Sequence, residues 1–194
     1  MQVRHTSLEG LIELIPRVFD DERGSFFESY NKPLFASLGL PMEFVQDNQS
    51  FSVKGVLRGL HYQNEPYAQG KLVRVIMGQV LDVAVDLRED SPTFGQYETF
   101  LLDARINNMA YIPEGFAHGF VALEDSIFSY KCTNVYNKAS ESGIIWNDPD
   151  LNIDWGVRTP IVSDKDQSTR ACSSARCWRV PGRCTALGKA SWRV

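Results

Sequence analysis

The sequence lacks several features that would point to particular classes of protein. Its 194 residues carry 20 Lys and Arg against 24 Asp and Glu, a formal net charge of −4, so no overall basic field favours nucleic acid. It has no apolar run near the roughly 18 residues that a membrane helix needs, and no signal-peptide pattern at its N-terminus. We therefore expect a cytoplasmic protein with no nucleic-acid partner and no membrane partner.

Cysteine is scarce and is not arranged in pairs. The four cysteines are Cys132, Cys172, Cys177 and Cys184, and no two of them form a CxxC motif. A structural zinc site needs tighter ligand pairs, so reduced thiols are the simpler interpretation. A Gly-rich dinucleotide fingerprint is also absent. The sequence thus predicts neither a metal nor a nicotinamide cofactor.

The chain does contain many short stretches that are typical of β-strands. Val80 to Leu87 alternates, with apolar residues on one face and acidic residues such as Asp82 on the other. Leu11 to Val18 is apolar but contains a proline, which favours an edge strand. Asn31, followed by Pro33, predicts the start of a short helix. Short strands at near-regular spacing predict an all-β sandwich or barrel with few helices.

The composition changes after Asp166. Gln167 to Val194 contains six basic residues, no Asp or Glu, and three of the four cysteines. We interpret residues 1–166 as one domain and residues 167–194 as a basic tail outside the core. A basic tail could bind polyanions, but the low periodicity favours a disordered segment without function.

Several residues that could take part in catalysis or ligand binding occur in two neighbouring strand-like stretches, Val56–Gln63 and Gln69–Val75. One of them is His61, and histidine is the side chain whose ordinary chemistry suits proton transfer near neutral pH. Arg58 can bind a phosphate through two hydrogen bonds, and Lys71 can stabilise a developing oxyanion. The same pattern is compatible with an ordinary hairpin that carries a half-exposed histidine and surface cations.

Seven segments in the same order resemble the dTDP-4-dehydrorhamnose 3,5-epimerase family of the cupin superfamily. They are FDDERGSFFESYN, FVQDNQS, RGLHYQ, QGKLVRV, DVAVDLREDSPTFGQ, YIPEGFAHGFVAL and YKCTNVYN, and the resemblance extends from Leu11 to Asp166. It implies a cupin jelly-roll fold, a homodimer and no cofactor. It also implies inversion of C3 and C5 of dTDP-4-dehydro-6-deoxy-D-glucose to give dTDP-4-dehydro-L-rhamnose, a step in dTDP-L-rhamnose biosynthesis.

The resemblance also implies roles for individual residues. His61 corresponds to the general base, Asp166 to its carboxylate partner, Tyr130 to the general acid and Lys71 to the cation beside the C4 oxygen. The positions at which family members hold the nucleotide, diphosphate and sugar correspond to Arg23, Glu28, Gln46, Asp47, Asn48, Arg58, His118, Glu141 and Lys165.

Three other functions remain open at this point. Metal-binding cupins use two histidines and a glutamate in the first motif and a histidine in the second; here Gln63 follows His61, and His118 stands in the second motif, so the ligand set is poor. A 3-epimerase or 5-epimerase that acts at one centre would use nearly the same motifs. In a non-catalytic nucleotide-sugar-binding sandwich, His61 and His118 would be core histidines. Two departures from the family are the tail and Val135, which stands among the usual aromatics after YKxTN.

Overall fold

A computed structural model describes residues 1–41, 43–169 and 171–172 and has the architecture of a β-sandwich, which confirms the predicted all-β fold. The strands are numbered in chain order, and the two sheets that form the sandwich are called the first and second sheets. The first sheet has the order β1-β2-β10-β7-β12-β5. Its strands are β1 (Gln2–His5), β2 (Ile12–Ile15), β5 (Gln46–Ser52), β7 (Lys71–Met77), β10 (Met109–Ile112) and β12 (Ser126–Cys132).

The second sheet has the order β13-β6-β11-β8-β9, and β14 pairs in parallel with β6 outside this path. A small antiparallel ribbon lies apart from both sheets, and two short helices complete the described elements. The strands of the second sheet are β6 (Val56–Gln63), β8 (Gln79–Asp86), β9 (Tyr97–Asp103), β11 (Phe116–Ala122), β13 (Glu141–Gly143) and β14 (Ile161–Val162). The ribbon consists of β3 (Phe19–Asp21) and β4 (Gly24–Phe26), and the helices are α1 (Lys32–Ser37) and α2 (Asp164–Gln167).

Helix α1 begins where the sequence predicts. The Asn31 side chain accepts a hydrogen bond from the Leu34 N–H at 3.1 Å, so it caps the helix. Phe35 on this helix is fully buried and packs with Ile12 and Leu14 on the outer face of the first sheet. Among the described residues, no helix is long and apolar enough to cross a membrane.

The prediction of an edge strand over Leu11 to Val18 is wrong. β2 pairs with β1 on one side and with β10 on the other, so it lies inside the first sheet. The strand ends at Ile15, immediately before Pro16. Because the proline follows the strand, its missing N–H removes no hydrogen bond from the ladder.

The predicted alternation of β8 holds, but both of its faces are buried. Val83 and Val85 pack on the outer face of the second sheet beneath a cluster that includes Trp155. Asp82, on the opposite face, is inside the sandwich and fully buried. An acidic residue at such a position is costly unless it is paired, so Asp82 requires a partner inside the sandwich.

An apolar core fills one part of the interior between the sheets. Val75 and Phe128 of the first sheet meet Ala84 and Phe120 of the second. The rings of Phe120 and Phe128 stack with centroids 4.2 Å apart and an interplanar angle of 17°. Both rings also line a cavity between the two sheets, where they form the cavity floor.

Strand β6 contains a β-bulge opposite β11. His61 pairs with His118 and Arg58 pairs with Phe120, so two residues of β6 lie opposite the single residue Gly119. Residues three apart in a regular strand point to opposite faces. The extra residue changes this, and both Arg58 and His61 face the cavity.

Only glycine fits at the bulge. Gly59 has a φ of +133°, and a Cβ atom there would lie 2.5 Å from the Gly119 Cα and 3.0 Å from the His118 carbonyl oxygen. Both of these are backbone atoms, which cannot rotate away as a side chain can. The bulge therefore depends on close backbone contact between β6 and β11.

We expect Gly59→Ala to lower the free energy of unfolding by about 2–4 kcal/mol, because it adds overpacking to backbone strain. Gly95→Ala is the matched control, since Gly95 also has a positive φ of +77°, but a Cβ atom added there would have no heavy atom within 4 Å. The control should lose only about 1 kcal/mol. Urea unfolding measures both, and equal losses would show that the contact with β11 does not constrain β6.

Candidate active site

A cavity of about 510 Å³ opens between the two sheets and is lined by side chains from both. This volume suits a small-molecule ligand. Ten of the thirteen residues that the sequence singles out line it: Gln46, Asn48, Arg58, His61, Lys71, His118, Tyr130, Glu141, Lys165 and Asp166.

His61 and Asp166 form a close pair, although they are 105 residues apart in the chain. The His61 Nε2 atom lies 2.6 Å from Asp166 Oδ1, and the Gly59 N–H donates to Asp166 Oδ2 at 3.4 Å. Burial raises the pKa of the Asp166 carboxyl. The hydrogen bond and charge of His61, together with the Gly59 N–H, lower it by a larger amount, so the net pKa is below its usual range. An ionised Asp166 that accepts from Nε2 leaves Nδ1 of His61 as the basic nitrogen.

His118 and Asp82 form a second histidine–carboxylate pair deeper in the sandwich. The distance between His118 Nε2 and Asp82 Oδ2 is 2.8 Å. Burial lowers the pKa of His118, as do the charges of Lys71 and His61, and these effects outweigh the opposing contribution of Asp82. Among the described residues, the Oδ1 atom of Asp82 finds no hydrogen-bond partner. The motifs did not single out Asp82, but its place on a buried, alternating strand could have revealed it.

Lys71, at the first position of β7, brings a cationic group into the buried part of the cavity. Its Nζ donates to the His61 carbonyl oxygen at 3.4 Å. Burial lowers the pKa of the ammonium group, and the carboxylates of Asp82 and Glu141 oppose this shift. A donor in such a water-poor environment stabilises a developing negative charge more strongly than it would in water.

Tyr130 lies on β12 of the first sheet, and therefore on the wall opposite His61 of the second sheet. Burial is the main cause that raises the pKa of its phenol, and the charge of Arg58 acts in the opposite direction. Tyr130 is therefore protonated at neutral pH and can donate a proton. Its ring packs against Phe128 of the cavity floor, with centroids 6.0 Å apart.

Three side chains interact near Ser163 and Asp166, at a more exposed part of the cavity. Glu141 contacts Lys165 Nζ at 2.5 Å through Oε1 and accepts from the Tyr136 hydroxyl at 3.0 Å through Oε2. Tyr136 is half exposed and lines the cavity, so part of its side chain is accessible to a ligand. The sequence motifs had not assigned Tyr136 to the site.

Strand β5 contributes a row of polar residues by alternation. Gln46, Asn48 and Ser50 face the cavity, and the Gln46 amide donates to Asn48 Oδ1 at 3.0 Å. Asp47 instead points outward, where Lys131 binds its carboxylate at 2.8 Å. Adjacent residues of a strand point to opposite faces, so Asp47 cannot join its neighbours in the cavity of its own chain.

Two further predicted residues, Arg23 and Glu28, lie outside the residues that line the cavity. Arg23 follows β3 at the turn of the small ribbon, where its side chain is 84% exposed and pairs with Asp21. Glu28 accepts a hydrogen bond from the Asn31 side chain at 3.0 Å, next to the start of α1. Both residues are thus available to groups outside this chain.

The cavity combines the imidazole of His61 on one wall, the phenol of Tyr130 on the other and the buried ammonium group of Lys71 nearby. Such a set can remove a proton next to a carbonyl, stabilise the enolate and return a proton from the opposite side. A metal-binding cupin would need a cluster of ligands, and the part of the chain that the structure describes contains no group of three or more His, Cys, Asp or Glu that could hold a metal ion.

Comparisons with known proteins agree with this chemistry. The family model described as dTDP-4-dehydrorhamnose 3,5-epimerase matches residues 5–173. A protein of that name from Shigella flexneri is 54% identical over 168 residues, 86% of this chain and 93% of its own. A dTDP-4-dehydrorhamnose 3-epimerase from Streptomyces niveus is 39% identical over 178 residues, 91% of this chain and 86% of its own.

A solved structure shares the fold closely. The crystal structure of a dTDP-6-deoxy-D-glucose-3,5-epimerase from Legionella pneumophila, in complex with dTDP-4-keto-L-rhamnose, superposes with a TM-score of 0.89 at 42% identity. The match covers 93% of this chain and 99% of that one. Since the family model spans most of the chain and a relative shares about half of its residues, this protein belongs to the dTDP-4-dehydrorhamnose 3,5-epimerase family.

Proposed function

We propose that this protein converts dTDP-4-dehydro-6-deoxy-D-glucose into dTDP-4-dehydro-L-rhamnose by inverting C3 and C5 of the sugar. The observation that carries the proposal is the placement of His61 and Tyr130 on opposite walls of one cavity. Inversion requires proton removal from one face of a carbon and delivery to the other. The higher identity to a 3,5-epimerase (54%) than to a 3-epimerase (39%) favours action at both centres.

The first step is proton removal from a carbon next to the C4 ketone. Nδ1 of His61 takes the proton, and the electron pair of the C–H bond moves to the C4 oxygen to form an enolate. Asp166, bound to Nε2 at 2.6 Å, stabilises the imidazolium that results. Lys71 stabilises the negative charge on the oxygen.

The second step returns a proton to the same carbon from the opposite face. Tyr130 donates its phenolic proton, the enolate electron pair forms the new C–H bond, and solvent then restores the phenol. Because burial raises the pKa of Tyr130, the hydroxyl stays protonated until the enolate is present. His61 then releases its proton to solvent, and repetition at the second carbon completes the reaction.

The more exposed part of the cavity offers partners for the nucleotide. Arg58 and Lys165 can bind the diphosphate with charge-assisted hydrogen bonds. The amides of Gln46 and Asn48 can hydrogen-bond to polar edges of the substrate, and the half-exposed ring of Tyr136 can stack on the base. Binding energy at this end positions the sugar for reaction at the other.

The protein acts as a homodimer in this proposal. Phe51, Ile127 and Met77 are direct neighbours across β5, β12 and β7 on the outer face of the first sheet. Phe51 and Met77 are each more than 40% exposed, so a second copy would cover an apolar row. Arg23 and Glu28 do not line the cavity of their own chain. In a dimer, they could act in the cavity of the partner subunit.

The proposed location is the cytoplasm, as expected from the sequence. Cys132 is compatible with this location because it is a free, buried cysteine paired across the strands with Lys71, and thiols stay reduced in that compartment.

We expect His61→Asn to reduce the rate by about 10²–10⁴-fold, because the amide retains bulk but cannot accept the proton. The affinity for dTDP should stay the same, since His61 does not bind the nucleotide. His5→Asn is the matched control, because His5 is exposed on β1, away from the cavity. Steady-state kinetics and calorimetry measure these quantities, and near-wild-type turnover of His61→Asn would exclude His61 as the base.

We expect Tyr130→Phe to separate proton removal from inversion. In deuterated water, solvent deuterium should still enter C3 and C5 through His61, whereas completed inversion at C5 should fall far more than inversion at C3. Tyr111→Phe serves as the control, because Tyr111 is a buried phenol outside the residues that line the cavity. NMR of the sugar products decides the matter: an unchanged proportion of doubly inverted sugar would remove Tyr130 from the mechanism.

Subunit mixing tests whether Arg23 acts in the site of the partner. His61→Asn and Arg23→Ala chains should each have low activity alone, but co-expressed chains should recover activity. In a mixed dimer, one site combines an intact His61 with an intact Arg23 from the other chain. Mixing His61→Asn with Lys71→Ala chains is the control, because both side chains line one cavity and neither site is then complete. No recovery in the first mixture would place Arg23 outside the partner's site.

A further inference from the structure

We propose that Asp148 is a positioning residue for the reaction: it anchors the end of the segment that carries Asp166, and so holds Asp166 against His61. This inference rests on the proposed function, in which His61 is the base. The segment comprises residues 161–172, apart from Arg170, which lies outside the described residues. It is called the Asp166 segment below.

The start of the Asp166 segment is attached to the second sheet. β14 pairs in parallel with β6 at Val56 and Leu57, and the Ile161 N–H donates to the Gly55 carbonyl at 2.8 Å. The segment then forms α2, which has only four residues and is capped by Ser163. A helix this short has no stability of its own, so the position of Asp166 depends on what holds the segment at each end.

Asp148 holds the other end. The Cys172 N–H donates to Asp148 Oδ2 at 2.6 Å, and Oδ1 of the same carboxylate accepts from the N–H groups of Asp150 and Leu151 at 2.9 and 3.1 Å. Asp148 is 1% exposed, and hydrogen bonds to a carboxylate in such a place are strong. Leu151 belongs to the cluster that covers the outer face of the second sheet, so the anchor is itself fixed.

Between its two ends the segment passes directly over the strand pairing of His61. Gly143 of β13 pairs with His61, and the Thr169 methyl group occupies the space that a side chain at Gly143 would need: a Cβ there would lie 3.0 Å from Thr169 Cγ2 and 3.7 Å from His61 Cδ2. The Thr169 hydroxyl also donates to the Asp166 carbonyl at 3.0 Å. A displacement at Cys172 is thus passed through Thr169 to Asp166.

Asp148 touches none of the residues proposed to react, so it acts through Asp166. The contact between His61 and Asp166 is short, and displacement of a catalytic group by about 1 Å can reduce a rate by about 100-fold. The proposed partners of the nucleotide lie on other elements, except Lys165, which belongs to the segment. Loss of the anchor should therefore lower kcat far more than the affinity for dTDP.

Asp148→Asn breaks the anchor selectively. The Asn Oδ1 can still accept from Asp150 and Leu151, but the amide nitrogen that replaces Oδ2 cannot accept from Cys172. We expect kcat to fall by about 10–100-fold, a much larger change than any rise in the Kd for dTDP. Asp154→Asn is the matched control, because Asp154 is exposed and makes the same kind of turn, accepting from the Gly156 N–H, outside the Asp166 segment.

Cys172→Pro removes the same hydrogen bond from the donor side, and Cys172→Ala retains the N–H and controls for the loss of the thiol. The Asp148→Asn, Cys172→Pro double variant should be no slower than the slower single variant, because both changes remove one interaction. Additive losses, or a kcat of Asp148→Asn equal to that of the control, would overturn the proposal.

A readout independent of turnover is the ¹⁵N NMR spectrum of the His61 ring. In Asp148→Asn the ring signals should move toward those of Asp166→Asn. If only the melting temperature falls and the ring signals stay as in the wild type, the role of Asp148 is structural and the proposal is wrong. If the wild-type protein does not turn over the sugar nucleotide, the proposed function fails, while the ring signals still decide whether Asp148 positions Asp166.

Discussion

The close contact between Gly59 and Gly119 is the constraint on which the rest of the site depends. It permits the bulge in β6, and the bulge turns His61 to the same face as Arg58. Without the extra residue, His61 would point into the apolar layer on the outer face of the second sheet, where Leu60 packs. Bulges beside active sites commonly redirect a side chain in this way. Here the redirected side chain is the proposed base, so the backbone geometry of one strand decides whether the cavity can remove a proton.

The interior of the sandwich is divided between apolar packing and paired charges. Phe120 and Phe128 close the apolar side, while Lys71, Asp82 and Asp166 are buried on the polar side. Burial of a charge is unfavourable unless a partner is present, and each carboxylate here has a histidine as its partner. The same ion pairs therefore serve both folding and the site, because the contacts that offset the cost of burying these charges also orient the imidazole rings.

Distant parts of the chain supply the site. The proposed base lies on β6, the proposed acid on β12, the cation on β7, and the carboxylate that pairs with the proposed base on α2 near the end of the described chain. Three of these elements belong to the sheets, but α2 is a single turn between two attachments. The position of α2 therefore depends on the contacts of Asp148 and Thr169. This short helix carries Asp166, whose Oδ1 atom must stay 2.6 Å from His61 Nε2.

The sequence by itself determined the fold class, the helix that Asn31 caps and ten of the residues that line the cavity. Strand alternation and turn residues are local properties, and seven motifs in order identify a family independently of contacts. Only the tertiary structure decided which side chains meet. It paired Asp82 with His118, directed Asp47 away from its neighbours, placed Arg23 and Glu28 off the cavity, and put β2 inside its sheet. Those outcomes depend on strand order, register and the bulge at Gly59. These features arise from contacts between residues far apart in the chain, so a local sequence pattern does not predict them.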